Sequence, residues 1–261
     1  MPKPEGYVSA DYLRRAAELG KAFKTRTYEL MQLAPGQRVL DVGCGPGLDT
    51  VPLAERVGAA GHVTGVDTDE DMLRQADELA RERGVANRIL HRRADAGALP
   101  FADAGFDACR AERLLQVLPS TVDPAAIVAE LVRVTRPGGF VVLADADWAT
   151  ASVDFSDAAL ERRLLAFFAE RLRPNGFAGR QLYRLLRRAG LDELAVEVMP
   201  LVHADLSQSP YGEWLPKEAV AAGVATTAEA ERWRAELRER EQHGEYFSSV
   251  NMVIVAGRRL K

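Results

Sequence analysis

Cysteine is scarce in this chain: among 261 residues only Cys44 and Cys109 occur. Two cysteines are too few for a disulfide framework, and neither stands in a metal-ligand spacing. The four histidines are well separated and form no HxxxH or HExxH pattern. We therefore expect no metal site, and we interpret both thiols as small, buried packing groups.

Long apolar runs and long basic blocks are absent as well. No stretch approaches the ~18 apolar residues of a membrane-spanning helix, and residues 1–15 lack the apolar core of a signal peptide. The formal net charge is −4, with acidic and basic residues interspersed along the chain. This pattern argues against nucleic acid or a membrane surface as the main partner. We expect a soluble, cytoplasmic protein.

Apolar segments that fit strands alternate with segments that fit amphipathic helices through the first half of the chain. The predicted strands of this part cover residues 38–42, 62–67, 89–94, 106–110 and 140–144. The predicted helices between them cover residues 48–57, 69–83 and 124–135. This order predicts an α/β fold with a parallel sheet and right-handed crossovers.

The flanking regions are mainly helical. Residues 11–34 fit one or two helices broken near Gly20. After residue 144, helices are predicted over 158–172, 181–189 and 210–243, and strands over 193–201 and 248–259. Because the sequence shows no repeat or linker, we expect a single domain over residues 1–261. Its parts would be an N-terminal helical lid (1–35), a sheet core (36–150) and a C-terminal region of cap helices and strands (151–261).

The stretch VLDVGCGPG at residues 39–47 places glycine at every second position after a buried strand. Such a turn lets a nucleotide approach the backbone at a helix N-terminus. The dinucleotide pattern G-x-G-x-x-G fails, because Leu48 or Thr50 stands where the third glycine belongs, and no lysine follows as a P-loop needs. Asp41 would oppose a phosphate at this edge of the sheet but suits a cationic ligand. S-Adenosylmethionine, with its sulfonium and ammonium groups, meets that requirement.

Acidic residues also follow the next two predicted strands. Asp67, at the tip of the second strand, can accept hydrogen bonds from both ribose hydroxyls, with a helix N-cap role as the alternative. Asp95, after the third strand, can accept from an adenine amino group while the N–H of Ala96 donates to the ring, unless Asp95 only forms the turn. Thr68 and Met72 could cover the adenine face, and Met72 fits the core equally well.

Five segments carry a family resemblance, in the order VLDVGCGPG, GVDTDEDML, RADAGALPF, FDACRAERLLQVLP and LVRVTRPGGFVVLAD. Through them the chain resembles the class I S-adenosylmethionine-dependent methyltransferases, and in particular the small-molecule group similar to ubiquinone/menaquinone C-methyltransferases and bacterial natural-product methyltransferases. The resemblance implies a Rossmann-like, mostly parallel seven-stranded sheet with helices on both faces and an antiparallel last strand. It also implies that 36–150 bind the cofactor and that a helical insertion, 202–247, precedes the last strand.

The resemblance further implies roles for residues around the cofactor. Gly43 and Gly45 would contact its methionine part, and Asp41 would approach its ammonium directly or through water. Arg110 and Ala111, at the end of the fourth strand, would lie beside the same part through their backbone. S-Adenosylhomocysteine would be the product.

The sequence leaves the methyl acceptor and the catalytic residue open. Some similar enzymes carry a His-His pair on the helix after the fourth strand, where this chain has Gln116 and Val117. The substrate-pocket candidates are polar or aromatic residues whose positions packing or loop exposure would also explain: Tyr7, Tyr12, Gln116, Trp148 and His203. For His203, an exposed loop position is the simpler interpretation.

The leading hypothesis is therefore an enzyme that transfers methyl from S-adenosylmethionine to oxygen, nitrogen or carbon of a small organic molecule. One alternative is an S-adenosylmethionine-binding protein that performs non-methylating catalysis of the cyclase or isomerase type. An NAD-dependent oxidoreductase and a non-catalytic binding module are the others. A homodimer is compatible with the sequence.

Overall fold

The computed structural model of the chain describes residues 10–260, without the side chains of 10–12, 15 and 16. Its α-helices in this range are α1 (Ala10–Leu19), α2 (Lys21–Leu30), α3 (Thr50–Val57), α4 (Glu70–Glu82), α5 (Pro124–Val134), α6 (Ala158–Arg171), α7 (Ala178–Arg188), α8 (Trp214–Ala221) and α9 (Thr227–His243). Its strands are β1 (Arg38–Val42), β2 (His62–Asp67), β3 (Ile89–Arg93), β4 (Phe106–Glu112), β5 (Thr135–Val153), β6 (Leu191–His203) and β7 (Ser248–Arg259). None of the helices in the described range has the length and apolar character needed to cross a membrane.

The strands form one seven-stranded sheet in the order β3-β2-β1-β4-β5-β7-β6. Neighbouring strands from β3 to β5 run parallel, whereas β7 is antiparallel to both β5 and β6. The predicted architecture, with its antiparallel last strand, is confirmed. Strands β1 to β6 therefore all end at one edge of the sheet, where β7 begins. We call this edge the carboxyl edge.

Strand β5 is much longer than the five residues predicted. It continues from Thr135 to Val153 because β7 pairs with it from Phe140 as far as Val153, with an irregularity between Asp147 and Ser152. Buried acidic residues follow Ala144, so the pattern of apolar residues does not predict this part of the strand. The extension carries the end of β5 well beyond the ends of its neighbours.

Side chains from both faces of the sheet are buried under helices. Successive residues of a strand point to opposite faces. Accordingly, Val39 belongs to an apolar cluster with residues of α2, α3, α6, α8 and α9, and Leu40 to a second cluster with residues of α5 and α7. Both thiols, Cys44 and Cys109, are free and buried, as predicted.

The insertion between β6 and β7 holds two helices rather than one. Helix α8 is followed by Gly223, whose φ of 69° ends the helical path. Helix α9 then starts at a capping box in which Thr226 and Glu229 exchange side-chain and backbone hydrogen bonds. The indole N–H of Trp233 donates to the carbonyl of Tyr211 at 2.8 Å, which anchors α9 over the sheet.

Helix α7 lies unusually close to the extension of β5 because it carries glycine at the contact. A Cβ atom on Gly179 would stand 2.8 Å from the backbone nitrogen of Asp147 and 2.9 Å from the carbonyl oxygen of Asp145. Both neighbours are backbone atoms within a sheet, so they cannot move aside without cost.

We expect Gly179→Ala to lower the free energy of unfolding by about 1–3 kcal/mol, as overpacked core positions do. Urea unfolding at equilibrium would measure this loss as a lower midpoint with an unchanged slope. Arg184→Ala, on the exposed face of the same helix, is the control and should change stability by less than about 0.5 kcal/mol. Equal midpoints for Gly179→Ala and wild type would contradict the close approach.

Candidate functional site

A cavity of about 820 Å³ opens at the carboxyl edge of the sheet. One end, which we call the glycine-loop half, is lined by residues after β1, β2 and β3, namely Gly43, Cys44, Gly45, Asp67, Thr68, Met72, Asp95 and Ala96. The other end, the tryptophan half, is lined by residues of β5, β6, β7 and the insertion, namely Trp148, Leu201, His203, Ser209, Trp214 and Met252.

Most of the residues predicted from the sequence meet in this cavity. Its wall includes ten of them: Gly43, Gly45, Asp67, Thr68, Met72, Asp95, Ala96, Gln116, Trp148 and His203. Asp41, Arg110 and Ala111 are buried and do not line it. Tyr7 and the side chain of Tyr12 lie outside the described part of the chain.

The glycine loop holds the carboxylate of Asp67 in place. Gly45 has a φ of 52°, a left-handed conformation that glycine adopts without strain. Its N–H donates to one oxygen of Asp67 at 2.9 Å, and the N–H of Asp69 donates to the other at 3.0 Å. The N-cap of α4 is Asp69, which accepts from Asp71 and Met72. Asp67 is therefore not the cap and faces the cavity.

Asp95 and Met72 each combine a structural contact with a place on the cavity wall, and their contacts with adenine stay predictions. Asp95 accepts a hydrogen bond from the N–H of Gly97 at 2.8 Å and so forms the turn, yet it also lines the cavity. Met72 is buried against the core and contributes to the cavity wall.

A buried ion network lies beneath the glycine loop. The guanidinium of Arg110 donates to Asp41 at 2.9 Å, to Thr27 of α2 at 3.0 Å and, through a short contact, to Glu112. It also lies 3.2 Å from a carboxylate oxygen of Asp49, the N-cap residue of α3. The side chain of Arg110 is the centre of this network. The contact of its backbone with the cofactor stays a prediction.

Lys24 of α2 extends the network to the cavity wall. Its ammonium lies 2.6 Å from Asp49 and 2.8 Å from Glu112, and all three residues line the cavity. Sequence reasoning missed these three. The signal was available in α2, where Lys24, Thr27 and Tyr28 occupy the buried face beside Phe23.

The buried carboxyl groups of this network outnumber its buried cations. Three carboxyls, on Asp41, Asp49 and Glu112, face the cations of Lys24 and Arg110, with the partly exposed Arg113 also touching Glu112. One oxygen of Asp41 has no hydrogen-bond partner among the described residues.

The surroundings shift the pKa values of Asp41 and Asp49 in opposite directions. Burial raises the pKa of Asp41 to about 7, against the charge of Arg110. Burial also opposes the ionisation of Asp49, but Arg110 and Lys24 outweigh it and hold the pKa of Asp49 well below its usual range. The network therefore keeps its extra proton on Asp41, beneath the loop, and negative charge on the side of the cavity.

The tryptophan half is built around an oriented indole. The N–H of Trp148 donates to the side-chain oxygen of Gln116 at 2.5 Å, and both residues are buried. The guanidinium of Arg173 lies 4.5 Å from the centre of the Trp148 ring and 4.6 Å from that of Phe168. These contacts fix the flat face that Trp148 presents.

His203 differs from its predicted exposed loop position. It is the last residue of β6, is 4 % exposed and lines the cavity. Burial lowers its pKa, so the imidazole is neutral at pH 7. The loop prediction failed because the strand predicted over 193–201 continues two residues further, through its pairing with the start of β7.

An acid at the tip of β2, a glycine turn after β1 and this strand order together define the class I methyltransferase fold. The family described as Methyltransferase domain matches residues 39–139. Over 241 residues the chain is 30% identical to a 37.1 kDa protein of transposon Tn4556 from Streptomyces fradiae, a match that covers 91% of this chain and 67% of that protein. The chain belongs to the class I S-adenosylmethionine-dependent methyltransferase family.

Two further similarities fit this family. The chain is 35% identical over 127 residues to the demethylmenaquinone methyltransferase of Desulfitobacterium hafniense, covering 49% of each. The match thus spans about half the length of that curated relative. The solved structure of the [4+2]-cyclase SpnF has a TM-score of 0.59 to this chain at 24% identity, covering 99% of this chain and 86% of that one. At that identity the likeness shows the shared fold.

Removing the guanidinium of Arg110 should leave the carboxylates of the network without their central partner. We expect Arg110→Met to lower the free energy of unfolding by about 3–5 kcal/mol at pH 7, as loss of one partner of a buried ion pair does. Denaturant unfolding would measure this loss. The matched control is Arg136→Met, which removes a half-exposed ion pair to Asp107 and should cost less than about 1 kcal/mol. Similar losses in both variants would argue against the network's importance.

The raised pKa of Asp41 gives a pH-dependent prediction. Because the folded pKa of about 7 exceeds the ordinary 3.8, the folded protein keeps a proton that the unfolded chain releases. Stability from this group is therefore present at low pH and lost as pH rises from about 4 to 7. Asp41→Asn mimics the protonated carboxyl and cannot titrate.

The free energy of unfolding of Asp41→Asn should consequently fall less than that of wild type between pH 5 and pH 8. Denaturant titrations at both pH values measure the difference. The exposed Asp103→Asn variant should follow wild type. If wild type and Asp41→Asn changed in parallel, the proton would have to reside elsewhere.

Proposed function

We propose that the protein transfers the methyl group of S-adenosylmethionine to a small organic molecule. The observation that carries this proposal is the cavity at the carboxyl edge, which joins two chemically different halves. The glycine-loop half offers carboxylates and backbone N–H groups suited to a nucleoside. The tryptophan half offers aromatic and aliphatic surface suited to an apolar acceptor.

The residues of the glycine-loop half fit this cofactor. Asp67 and Asp95 are acceptors for the ribose hydroxyls and the adenine amino group, and the faces of Thr68 and Met72 adjoin them on the wall. The carboxylates of Asp49 and Glu112 on the cavity wall favour a ligand with positive charge. The same charges disfavour a pyrophosphate. We infer that Asp49 and Glu112, rather than Asp41, face the cofactor's ammonium.

The chain's own contribution is binding and orientation. When bound, S-adenosylmethionine supplies a methyl group made electrophilic by a positively charged sulfur. Asp67 fixes the ribose because its oxygens are already held by the N–H groups of Gly45 and Asp69. The hydrogen bond from Trp148 to Gln116 fixes the aromatic wall on which an acceptor lies. Holding two reactants in line accounts for much of the acceleration that such a reaction needs.

The acceptor atom is oxygen, nitrogen or carbon in this proposal. The cytoplasmic location and the homodimer stay predictions from the sequence. Gel filtration with light scattering, and fractionation of the source cells, would test them.

The experiment that tests the proposed function follows the methyl group. The protein is incubated with S-adenosylmethionine labelled in its methyl carbon and with a panel of small aromatic and polyketide-like compounds, and the products are examined by mass spectrometry. Label in a product supports the proposal. Conversion of a compound without label would show non-methylating catalysis instead. Tighter binding of NAD than of S-adenosylmethionine, measured by calorimetry, would contradict the assignment of the cofactor.

Asp67→Ala should weaken the binding of S-adenosylhomocysteine by about 1–3 kcal/mol, because the ribose hydroxyls lose their charged acceptor. Isothermal titration calorimetry measures the dissociation constant. Asp71→Ala changes an exposed neighbour on α4 that pairs with Arg74. It is the matched control and should bind as wild type does. An unchanged dissociation constant in a folded Asp67→Ala variant would remove the ribose role.

A further inference from the structure

A chain of buried hydroxyl groups ends on the imidazole of His203. Ser248, the residue paired with His203 in the sheet, places its hydroxyl oxygen 3.4 Å from Nδ1. The hydroxyl of Tyr246 lies 3.0 Å from that of Ser248 and 2.6 Å from that of Ser209. His203, Tyr246 and Ser248 are all nearly inaccessible to solvent. The start of β7 therefore holds one edge of the imidazole ring.

The other ring nitrogen is available to a ligand. Among the side chains that the structure describes, Nε2 of His203 has no hydrogen-bond partner, and the residue forms part of the wall of the tryptophan half. When Nδ1–H donates to Ser248, the lone pair of the neutral ring lies on Nε2. A buried, neutral imidazole with one edge fixed has the properties of a positioned proton acceptor.

The charged groups around this end of the cavity are already engaged. The carboxylate of Glu213 pairs with Arg234 and Arg238. The guanidinium of Arg173 stacks on Trp148 and Phe168. Tyr246 is a titratable group that is linked to His203 through the hydroxyl of Ser248. Burial alone lowers the pKa of His203, with no charged neighbour contributing.

We propose that His203 is the catalytic base for a methyl acceptor that carries a weakly acidic hydroxyl group, phenolic or enolic, on an apolar body. This inference rests on the proposed function. In the step, the O–H bond of the acceptor breaks, its electron pair stays on oxygen, and the proton bonds to Nε2 of His203. The imidazolium later releases that proton to water, which restores the neutral ring.

The chemistry of the wall selects this class of acceptor. Leu201, Met252 and the two tryptophans are uncharged, so this part of the wall suits the apolar body of an acceptor. An aliphatic amine is a cation at pH 7, and these four side chains give it no anionic partner. A phenol, with a pKa of about 10 as in tyrosine, is almost entirely protonated at pH 7. A base beside it raises the rate by about 10²–10⁴-fold.

Binding of matched probes tests the hydrogen bond without turnover. The probes are 2-naphthol and its methyl ether, 2-methoxynaphthalene, titrated by fluorescence into the protein saturated with S-adenosylhomocysteine. Wild type should bind 2-naphthol about three- to tenfold more tightly than the ether, because only the naphthol can donate to Nε2. His203→Phe should bind both equally. His243→Phe, which changes an exposed histidine at the end of α9, should keep the preference.

Turnover then separates this inference from the proposed function. With a hydroxyl compound that acquires labelled methyl, His203→Phe should lower kcat by about 10²–10⁴-fold while its affinity for S-adenosylhomocysteine stays unchanged. If His203→Phe retained both the naphthol preference and kcat, the role of His203 would be wrong and the methyltransferase would stand. If wild type bound neither S-adenosylmethionine nor S-adenosylhomocysteine, the proposed function itself would fail.

A measurement on wild type covers the case in which His203→Phe does not fold. Nuclear magnetic resonance of the assigned imidazole nitrogens should show Nε2 of His203 shifting on addition of 2-naphthol and staying in place with 2-methoxynaphthalene. The resonances of His243 should not move. No shift of Nε2, or no binding of either probe, would overturn the inference.

Discussion

The guanidinium of Arg110 is buried among carboxylates, and four elements are held together through its contacts. Arg110 projects from β4 and reaches Asp41 on β1, Asp49 at the start of α3 and Thr27 on α2. A buried cation that lost these partners would be strongly destabilising. Helix α2 is therefore part of the wall of the site, and its position relative to the glycine loop follows from charge pairing as well as from apolar packing.

The same pairing sets the electrostatic character of the cavity. A carboxylate directly under a glycine loop would repel a phosphate, but here Asp41 is covered by Arg110 and carries a raised pKa. The negative charge lies instead on Asp49 and Glu112, where it lines the cavity. Under the proposed function, the preference of the DxGxGxG segment for a cationic nucleoside over a dinucleotide therefore depends on the network that surrounds it.

How far the sequence predicts this molecule depends on the range of the interactions. Strands β1 and β2 and the position of Asp67 follow from local alternation and glycine spacing, and the structure has them as predicted. Arg110 contacts Asp41, which lies 69 positions earlier, and Lys24 contacts Glu112, which lies 88 positions later. Because these contacts depend on how the strands and helices are arranged in space, no local window of sequence contains them. The burial of His203 depends on pairing with Ser248, which comes 45 residues later.

The position of β7 between β5 and β6 has a consequence for the order of assembly. Strands β1 to β4 precede it in the chain and pair in the sheet only with one another and with β5, so these strands have all their sheet partners before residue 154. The tryptophan half requires β7, the latest strand of the described chain to be synthesised, and β6 has no partner in the sheet until β7 inserts. During synthesis on the ribosome, the strands of the glycine-loop half can therefore pair before the strands of the tryptophan half.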